Sequence, residues 1–314
     1  MDKLDIQILR ELTQAQSLLP AKPGLGLSYR EIARKLDVSA GTVRNRISLM
    51  YSAGTIKGSS VYPNPRILDV QVGGYAIDID SALSKSDVVE KLKLVDGMLF
   101  IQNFHGTLLG IAFVYEDEQS RMEKLDEFHR LAGARGGNFT RVLYPECTTS
   151  LTWPEWKLVQ RLSERSFKTY GELAKEFEVS VRTLKRRIAK IISEKWILSV
   201  PTMDYKAIGG GLPADLIVSF TRPELRAEAE TTIFSIAADY MIYAGVWEDF
   251  GMYSLVLPKV VAATELTDKV KQISGVKSLR MEFVDEHIDQ TKAVLFYVEK
   301  QMKKIKPNDL VDSK

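Results

Sequence analysis

The chain has 314 residues, of which 45% are hydrophobic, 27% charged and 9% aromatic, a composition typical of a soluble protein with two or more domains. A single cysteine excludes an internal disulfide, three scattered histidines disfavour a metal site, and no apolar run reaches the roughly 18 residues of a membrane span. The N-terminus carries acidic residues and no cleavage site of a secretory signal. We therefore expect a reduced, cytoplasmic protein without a resident metal or cofactor.

The net charge of +2 conceals an alternation along the chain. Residues 1–65 hold nine Lys or Arg against five Asp or Glu, and residues 150–206 hold 12 against seven. Residues 66–149 hold nine against 13, residues 207–287 hold seven against 12, and the tail 288–314 holds six against four. Basic segments attract polyanions and acidic segments are repelled by them. These boundaries predict four domains and a C-terminal extension, with the two basic domains as candidates for nucleic-acid binding.

The two basic segments contain an internal repeat with a constant offset of 141 residues. Residues 28–56, SYREIARKLDVSAGTVRNRISLMYSAGTI, align without a gap with residues 169–197, TYGELAKEFEVSVRTLKRRIAKIISEKWI, and ten of the 29 pairs are identical. The upstream segments LDIQILREL and EWKLVQRL are also similar. The first copy has nine extra residues before Ser28, rich in proline and glycine, which predict a loop. A duplicated unit of about 141–150 residues explains the alternating charge.

Each copy reads as three helices followed by an extended segment. Capping boxes are predicted at the start of the second helices, and single N-caps at the start of the third: Ser28 with Glu31, Thr169 with Glu172, then Ser39 and Ser180. The following segments, SAGTIKGSSVYPN and SEKWILSVPTMD, predict β-hairpin wings, with Gly54 as a helix C-cap. The pattern is that of a winged helix-turn-helix.

The third helix of each copy exposes a polar face that suits a DNA major groove. Its capped N-terminus favours phosphate, and arginine and asparagine are suited to guanine and adenine. The predicted DNA-binding residues are Ser39, Ala40, Gly41, Arg44, Asn45, Ser48 and Lys57 in the first copy, and Ser180, Val181, Arg182, Lys185 and Arg186 in the second. Arg46 and Arg187 lie beside the apolar stripe and are expected to brace the fold. A winged helix used only for protein contacts remains an alternative.

The acidic segments place apolar strands and amphipathic helices in the order β-α-β-β-α-β. This is the ferredoxin-like order, which leaves one sheet face free to pack against a second sheet. The predicted fold class is therefore α+β: two winged helix-turn-helix domains alternating with two ferredoxin-like (βαββαβ) domains. The tail, TKAVLFYVEKQMKKI, is expected to pack on the second acidic domain or on a partner.

This combination resembles the leucine-responsive/AsnC family of prokaryotic transcription regulators. The first copy, with LDIQILREL and SYREIARKLDVSAGTVRNRISLMYSAGTIKG, follows the family pattern best, and the second has no glycine where Lys195 stands. The resemblance covers nearly the whole chain twice, whereas family members usually carry one unit. It implies a DNA-binding transcription regulator rather than an enzyme, a covalent pseudo-dimer that binds double-stranded DNA and has the potential to form a homodimer.

Family members commonly bind an amino acid near a turn between the second and third strands. The resemblance implies ligand-binding positions at His105 and Gly106 in the first copy and at Glu248 and Asp249 in the second, although both turns depart from the family pattern. Sirohaem decarboxylases are similar in architecture, which leaves a tetrapyrrole enzyme with His105 at its site as a further alternative. Three other residues are expected to have no binding or redox role: His129 at the surface, His287 at a solvated strand end and Cys147 in the linker.

Overall fold

The structure is a computed structural model that describes residues 1–14, 29–164, 169–290 and 293–305. The predicted proline- and glycine-rich loop and the capping residue Ser28 lie outside the described residues. The helices are α1 (Lys3–Gln14), α2 (Tyr29–Leu36), α3 (Ala40–Ser52), α4 (Lys85–Leu92), α5 (Glu118–Ala132), α6 (Trp153–Glu164), α7 (Tyr170–Glu176), α8 (Val181–Ser193), α9 (Pro223–Ala237), α10 (Val260–Lys271) and α11 (Ala293–Lys304). Within these ranges, none is long and apolar enough to cross a membrane.

The strands are β1 (Ile56–Pro63), β2 (Gln71–Asp78), β3 (Met98–Phe104), β4 (Leu108–Tyr115), β5 (Gly137–Arg141), β6 (Ile197–Met203), β7 (Leu212–Phe220), β8 (Met241–Val246), β9 (Phe250–Leu257) and β10 (Val276–Asp289). Short 3-10 turns follow β1 and β6. The order β2-α4-β3-β4-α5-β5 recurs as β7-α9-β8-β9-α10-β10, so the predicted α+β class with two ferredoxin-like units is confirmed.

Two helical units, α1–α3 and α6–α8, form the basic segments. The predicted N-caps are confirmed, since Ser39 Oγ accepts from the Thr42 amide (2.9 Å) and Ser180 Oγ accepts from the Thr183 amide (3.1 Å). The capping box that begins with Thr169 is also formed. Because the caps satisfy backbone donors left free by the helix, the third helices begin where the sequence predicts.

The predicted β-hairpin wings are wrong. Each copy contributes one strand after its third helix, and β1 pairs antiparallel with β6 along its whole length. The Asn64 amide donates to the Trp196 carbonyl (2.8 Å). In the pseudo-equivalent bond, the Asp204 amide donates to the Thr55 carbonyl (3.0 Å). The second copy thus supplies the partner strand that a hairpin would have supplied, and we call this two-stranded sheet the ribbon.

The two ferredoxin-like units share one eight-stranded sheet, in the order β5-β2-β4-β3-β10-β7-β9-β8. Strand β10 joins them because its first part pairs with β7 and its last part, from Val284 to Asp289, pairs with β3. The outer strands β5 and β8 meet again at a single bridge between Val142 and Trp247. The sheet therefore curves until its two edges touch.

Each helical unit packs against the ferredoxin-like unit of the other copy. The core of α1–α3 continues into three residues of the second unit, Ile208, Ile242 and Val256. In addition, an Arg10 guanidinium N–H donates to the Ala238 carbonyl (2.6 Å). The core of α6–α8 instead continues into the first sheet, at Val72, Leu99, Ala112 and Val114. The core of each helical unit is therefore continuous with the ferredoxin-like unit of the other copy.

The predicted position of the tail on the second acidic domain is wrong. Helix α11 packs against α6, β1 and β3, where Val294, Tyr297 and Val298 are buried. The cause is the course of β10, which carries the chain from the second unit to the first. The Gln290 amide then donates to the Leu99 carbonyl (2.8 Å), so the chain enters α11 beside β3.

Candidate nucleic-acid interface and central cavity

The sequence-predicted DNA-binding residues lie on the free faces of α3 and α8 and on β1. Ala40 is partly buried, and the other eleven are exposed or half-exposed: Ser39, Gly41, Arg44, Asn45, Ser48, Lys57, Ser180, Val181, Arg182, Lys185 and Arg186. Only Arg44 and Lys57 carry positive charge in the first set, whereas three of the five residues in the second set do. Their contact with DNA stays a prediction. Exposed cations on a helix with a capped N-terminus are suited to binding the negatively charged phosphates of DNA.

Two tyrosines that were not among the predicted residues support this face. The Arg44 guanidinium lies 5.6 Å from the ring centre of Tyr29, and the Lys185 ammonium lies 5.8 Å from that of Tyr170. The two pairs are related by the repeat offset. Such cation–π contacts orient a flexible cation while leaving it accessible. The sequence could have pointed to these two residues, because tyrosine occupies the same position of the repeat in both copies.

The predicted bracing role is confirmed for Arg46. Its guanidinium binds the carboxylates of Asp2, just before α1, and of Asp5 on α1, and the hydrogen bond to Asp2 raises the pKa of Arg46. In the second copy, Lys190 provides the corresponding link from α8 to α6, 2.7 Å from the Glu155 carboxylate. Both recognition helices are thus linked to the first helix of their unit by an ion pair, but the basic residue lies at a different position of the repeat. The bracing role of Arg187 stays a prediction.

Lys57 contacts a carboxylate of the other copy. Its ammonium lies 2.8 Å from the carboxylate of Asp204, and this hydrogen bond lowers the pKa of Asp204. The Lys57 side chain is nevertheless 59% exposed. A DNA phosphate at this position would therefore share or replace the Asp204 contact.

The four predicted ligand-binding residues do not form one site. The His105 amide donates to the Phe283 carbonyl on β10 (2.8 Å), and its imidazole is exposed beside Asp285. Gly106 lies in the same exposed turn. Glu248 and Asp249 are exposed in the turn before β9, and the Glu248 amide donates to the Arg141 carbonyl (2.9 Å). The first turn joins β3 to β4 in one ferredoxin-like unit, and the second joins β8 to β9 in the other.

A cavity of about 370 Å³ lies inside the curved sheet, with the ribbon as its roof. Aromatic residues form much of its wall: Tyr62, Phe100, Tyr144, Tyr205, Tyr243 and Trp247. Leu143 and Tyr243 line it while remaining 46% and 41% exposed, so they mark its mouth beside the short strand β5. This volume falls within the range of about 300–1,000 Å³ typical of small-molecule pockets. We call this space the central cavity.

Four polar side chains form a hydrogen-bonded chain in the central cavity. The Asp215 carboxylate accepts from Ser254 Oγ (2.7 Å) and from Gln102 Nε2 (3.2 Å). Gln102 Oε1 is an acceptor only, so the 2.6 Å contact with His287 Nδ1 places a proton on that nitrogen. In a neutral ring, the other nitrogen, His287 Nε2, is then a hydrogen-bond acceptor.

His287 is not a solvated strand end, so the sequence-based expectation is wrong. Its ring lies 5.2 Å from that of Phe100 and 6.3 Å from that of Tyr205, and burial lowers its pKa. Burial also raises the pKa of Asp215 to about 7, although the Ser254 and Gln102 hydrogen bonds act in the opposite direction. The described residues that line the central cavity include no lysine or arginine. The carboxyl group of Asp215 therefore has no cationic partner there.

His129 and Cys147 are the two other residues that were expected to have no binding or redox role. His129 is half-buried, and its Nε2 lies within hydrogen-bond distance of the Tyr75 hydroxyl, so it is not a freely solvated residue. Cys147 is half-buried, and burial raises the pKa of its thiol. In the described part of the chain, no three His, Cys, Asp or Glu side chains are placed to hold a metal ion.

Comparisons with known proteins agree with the helix-turn-helix assignment. The sigma-70, region 4 family matches residues 24–49, which include α2 and most of α3. The HTH-type transcriptional regulator Ptr1 of Methanocaldococcus jannaschii is 27% identical over 145 residues, 46% of this chain and 92% of that protein. The length of that match equals one unit of the repeat.

A solved structure shares the fold over nearly the whole chain, and others match one half of it. The siroheme decarboxylase NirDL, in complex with an iron-uroporphyrin III analogue, aligns with 97% of this chain and 100% of its own at 11% identity and a TM-score of 0.55. AsnC of E. coli matches 48% of this chain and 97% of its own at 22% identity and a TM-score of 0.31. The resemblance to AsnC-type regulators, repeated twice in one chain, is confirmed. The chain therefore contains two helix-turn-helix units and two ferredoxin-like units, and it is similar to regulators of this type.

Proposed function

We propose that this chain is a sequence-specific DNA-binding transcription regulator that acts in the cytoplasm as a covalent pseudo-dimer. One observation carries the proposal: the two pseudo-equivalent recognition helices, α3 and α8, both begin at a serine cap and both leave their polar faces exposed. Exposed lysine and arginine at these positions meet phosphates and base edges in known helix-turn-helix complexes. The match to Ptr1, a protein named as a regulator, supports the same function.

Because the two helices carry different residues, the two DNA half-sites are expected to differ. Arg44 and Asn45 favour guanine and adenine in one half-site. The second half-site is expected to be rich in guanine or to be contacted mainly at its phosphates, because α8 presents Arg182, Lys185 and Arg186. A single chain is therefore expected to bind an imperfect palindrome. Pairing of two chains is a further part of the proposal, and sedimentation with and without DNA tests it.

The proposal includes a small-molecule effector, with an amino acid at the two strand turns as the first candidate. The Glu248 turn lies beside Arg141, whose guanidinium is 3.9 Å from the Glu248 carboxylate, so both charges needed by a zwitterion are present. At the other turn, Lys85 donates to the Gly106 carbonyl (2.7 Å) next to His105. Substitution of Arg141 and of Lys85 in turn, followed by amino-acid titration, separates these two positions.

The test of DNA binding is a fluorescence-anisotropy titration of a labelled random duplex at two salt concentrations. We expect affinity to fall steeply with salt, and the Lys185→Ala/Arg186→Ala double variant to reduce the slope of log K against log salt by about 0.9 for each phosphate that the protein no longer neutralises. Lys91→Ala, an exposed lysine on α4, is the matched control and should leave the slope unchanged. Weak, salt-insensitive binding would contradict the proposal and favour a protein-interaction module.

The decarboxylase alternative rests on the whole-chain similarity to NirDL, which at 11% identity concerns the fold. A tetrapyrrole of that kind carries several carboxylates, whereas the described lining of the central cavity contains Asp215 and no lysine or arginine. The residues present do not fit such a substrate, so we propose a non-enzymatic protein. A shift of the absorbance band of iron-uroporphyrin on titration, with release of CO₂ from sirohaem, would contradict this.

A further inference from the structure

The central cavity combines an aromatic wall with a buried acid that has no cation beside it. A carboxylate removed from water needs hydrogen bonds and an opposite charge to be stable. Asp215 is 1% exposed and has hydrogen bonds from neutral groups, Ser254 and Gln102, but the described cavity lining offers it no positive charge. Burial favours the neutral acid in the free chain, so a cation that entered the cavity would supply the opposite charge that the ionised form needs.

We infer that the central cavity binds a small organic cation, namely a primary amine attached to a flat aromatic body. The ammonium group would pair with Asp215 and donate to the acceptor nitrogen of His287. The aromatic body would lie against the ring systems of the wall, including Tyr205 and Phe100, which lie within about 7 Å of the His287 ring. The mouth between Leu143 and Tyr243 gives such a molecule a route from solvent.

The same residues discriminate against a free amino acid at this site. An α-carboxylate would enter an apolar space with no described lysine or arginine and with Asp215 nearby. Like charges at short range in a poorly hydrated site oppose binding. The site therefore differs in its chemistry from the amino-acid site proposed at the strand turns.

The roof of the cavity connects this ligand to the recognition helices. Strand β1 begins at Ile56, soon after α3 ends at Ser52, and β6 begins at Ile197, soon after α8 ends at Ser193. Tyr62 on the ribbon lines the cavity directly. A ligand that shifts the ribbon would change the spacing of α3 and α8, and this regulatory role rests on the proposed DNA-binding function.

The test is isothermal titration calorimetry of the full chain, without DNA, with tryptamine and with tryptophan as probes. Both carry an indole and an amine, and only tryptophan carries a carboxylate. We expect one tryptamine per chain, at least tenfold tighter than tryptophan. Equal or tighter binding of tryptophan, or no binding of tryptamine at millimolar concentration, would overturn the inference. This comparison uses only the unaltered protein and is independent of any variant's stability.

A variant then locates the site. Asp215→Asn removes the charge and keeps the shape, because the amide oxygen of the new side chain can accept from Gln102 Nε2 while its NH2 group donates to Ser254 Oγ, which can accept as well as donate. We expect at least a tenfold loss of tryptamine affinity. Asp285→Asn, a half-exposed carboxyl on β10 beside His105 and outside the cavity lining, is the control and should bind as the unaltered chain does. Equal affinity of the Asp215 variant would place tryptamine elsewhere and contradict the inference.

The regulatory step is measured separately as DNA affinity with and without saturating tryptamine. We expect a change of at least threefold in the unaltered chain and none in Asp215→Asn. If tryptamine binds but DNA affinity stays constant, the coupling is wrong and the ligand site stands. If the chain does not bind DNA at all, the proposed function fails while the calorimetric result remains valid.

Discussion

The indole of Trp247 lies directly on the backbone of Gly74. A Cβ added to Gly74 would stand 1.9 Å from Cζ3 of Trp247, far inside van der Waals contact. Trp247 follows β8 in the second ferredoxin-like unit and Gly74 lies on β2 in the first, so this contact helps to hold the two edges of the curved sheet together. Only a residue without a side chain permits it.

Gly74→Ala should therefore lower the free energy of unfolding by about 1–3 kcal/mol, the cost of overpacking a closely packed position. Urea denaturation followed by circular dichroism measures it. Gly136→Ala is the control, because a Cβ there meets no atom within 4 Å, and its effect should stay within about 0.5 kcal/mol. Equal stability of the two variants would mean that the Trp247 indole moves away at little cost and does not help to hold the two edges of the sheet together.

The repeat places a glycine and a lysine at equivalent backbone positions. Gly54 has a φ of 75° and Lys195 a φ of 58°, each just after the residue that caps its recognition helix, Ala53 or Glu194. The sequence predicts Gly54 as the cap itself, but it lies one residue beyond it. The left-handed conformation is unfavourable for a residue with a Cβ.

Lys195→Gly should thus raise the free energy of unfolding by about 0.5–1 kcal/mol, and Gly54→Ala should lower it by a similar amount. Thermal or urea unfolding of both variants measures the two signs in parallel. The Lys195 carbonyl accepts from the side-chain amide of Asn64 (3.0 Å), and this hydrogen bond remains in the glycine variant because it does not involve the lysine side chain. A loss of stability in Lys195→Gly would show that side-chain packing at this position outweighs the backbone strain.

Asp215 makes stability depend on pH in a direction unusual for an aspartate. Burial raises its pKa to about 7, whereas the unfolded value is near 4. Between these values the folded chain holds a proton that the unfolded chain has lost. The free energy of unfolding should consequently fall as pH rises from about 4 to 7, with a slope of up to about 1.4 kcal/mol per pH unit from this group.

Urea titrations across this pH range compare the unaltered chain with Asp215→Asn, and the difference between the two curves isolates the group. The lowered pKa of His287 acts in the opposite direction below about pH 6.5 and is common to both proteins. Asp285→Asn serves as the control and should retain the slope. Parallel curves for the unaltered chain and Asp215→Asn would contradict a buried, protonated carboxyl group.

Local features of the fold could be predicted from the sequence because their causes are local. Ser39 and Ser180 cap the third helices through amides three residues away, and Arg46 lies beside the stripe that faces α1. The alternation of apolar residues likewise fixes the order of strands and helices within each ferredoxin-like unit.

The features that could not be predicted are the ones in which the two copies meet. The pairing of β1 with β6 uses backbone groups, which carry no sequence signal of their partner. The acidic neighbours of His287 suggested solvent, but its hydrogen-bond partner Gln102 lies 185 residues away. The central cavity likewise takes Asp215 from one copy and Gln102 from the other, and no motif in either copy marks it.

The central claim is that one chain binds DNA with both recognition helices at once. Hydroxyl-radical footprinting tests it most directly, on a duplex selected from a random pool for binding to the chain. The unaltered chain should protect two unequal segments whose centres lie about 34 Å apart along the duplex, or a multiple of that distance. Lys185→Ala/Arg186→Ala should remove protection of one segment, and Arg44→Ala/Asn45→Ala should weaken the other. A single protected segment in the unaltered chain, or two segments that both survive each pair of substitutions, would contradict the account.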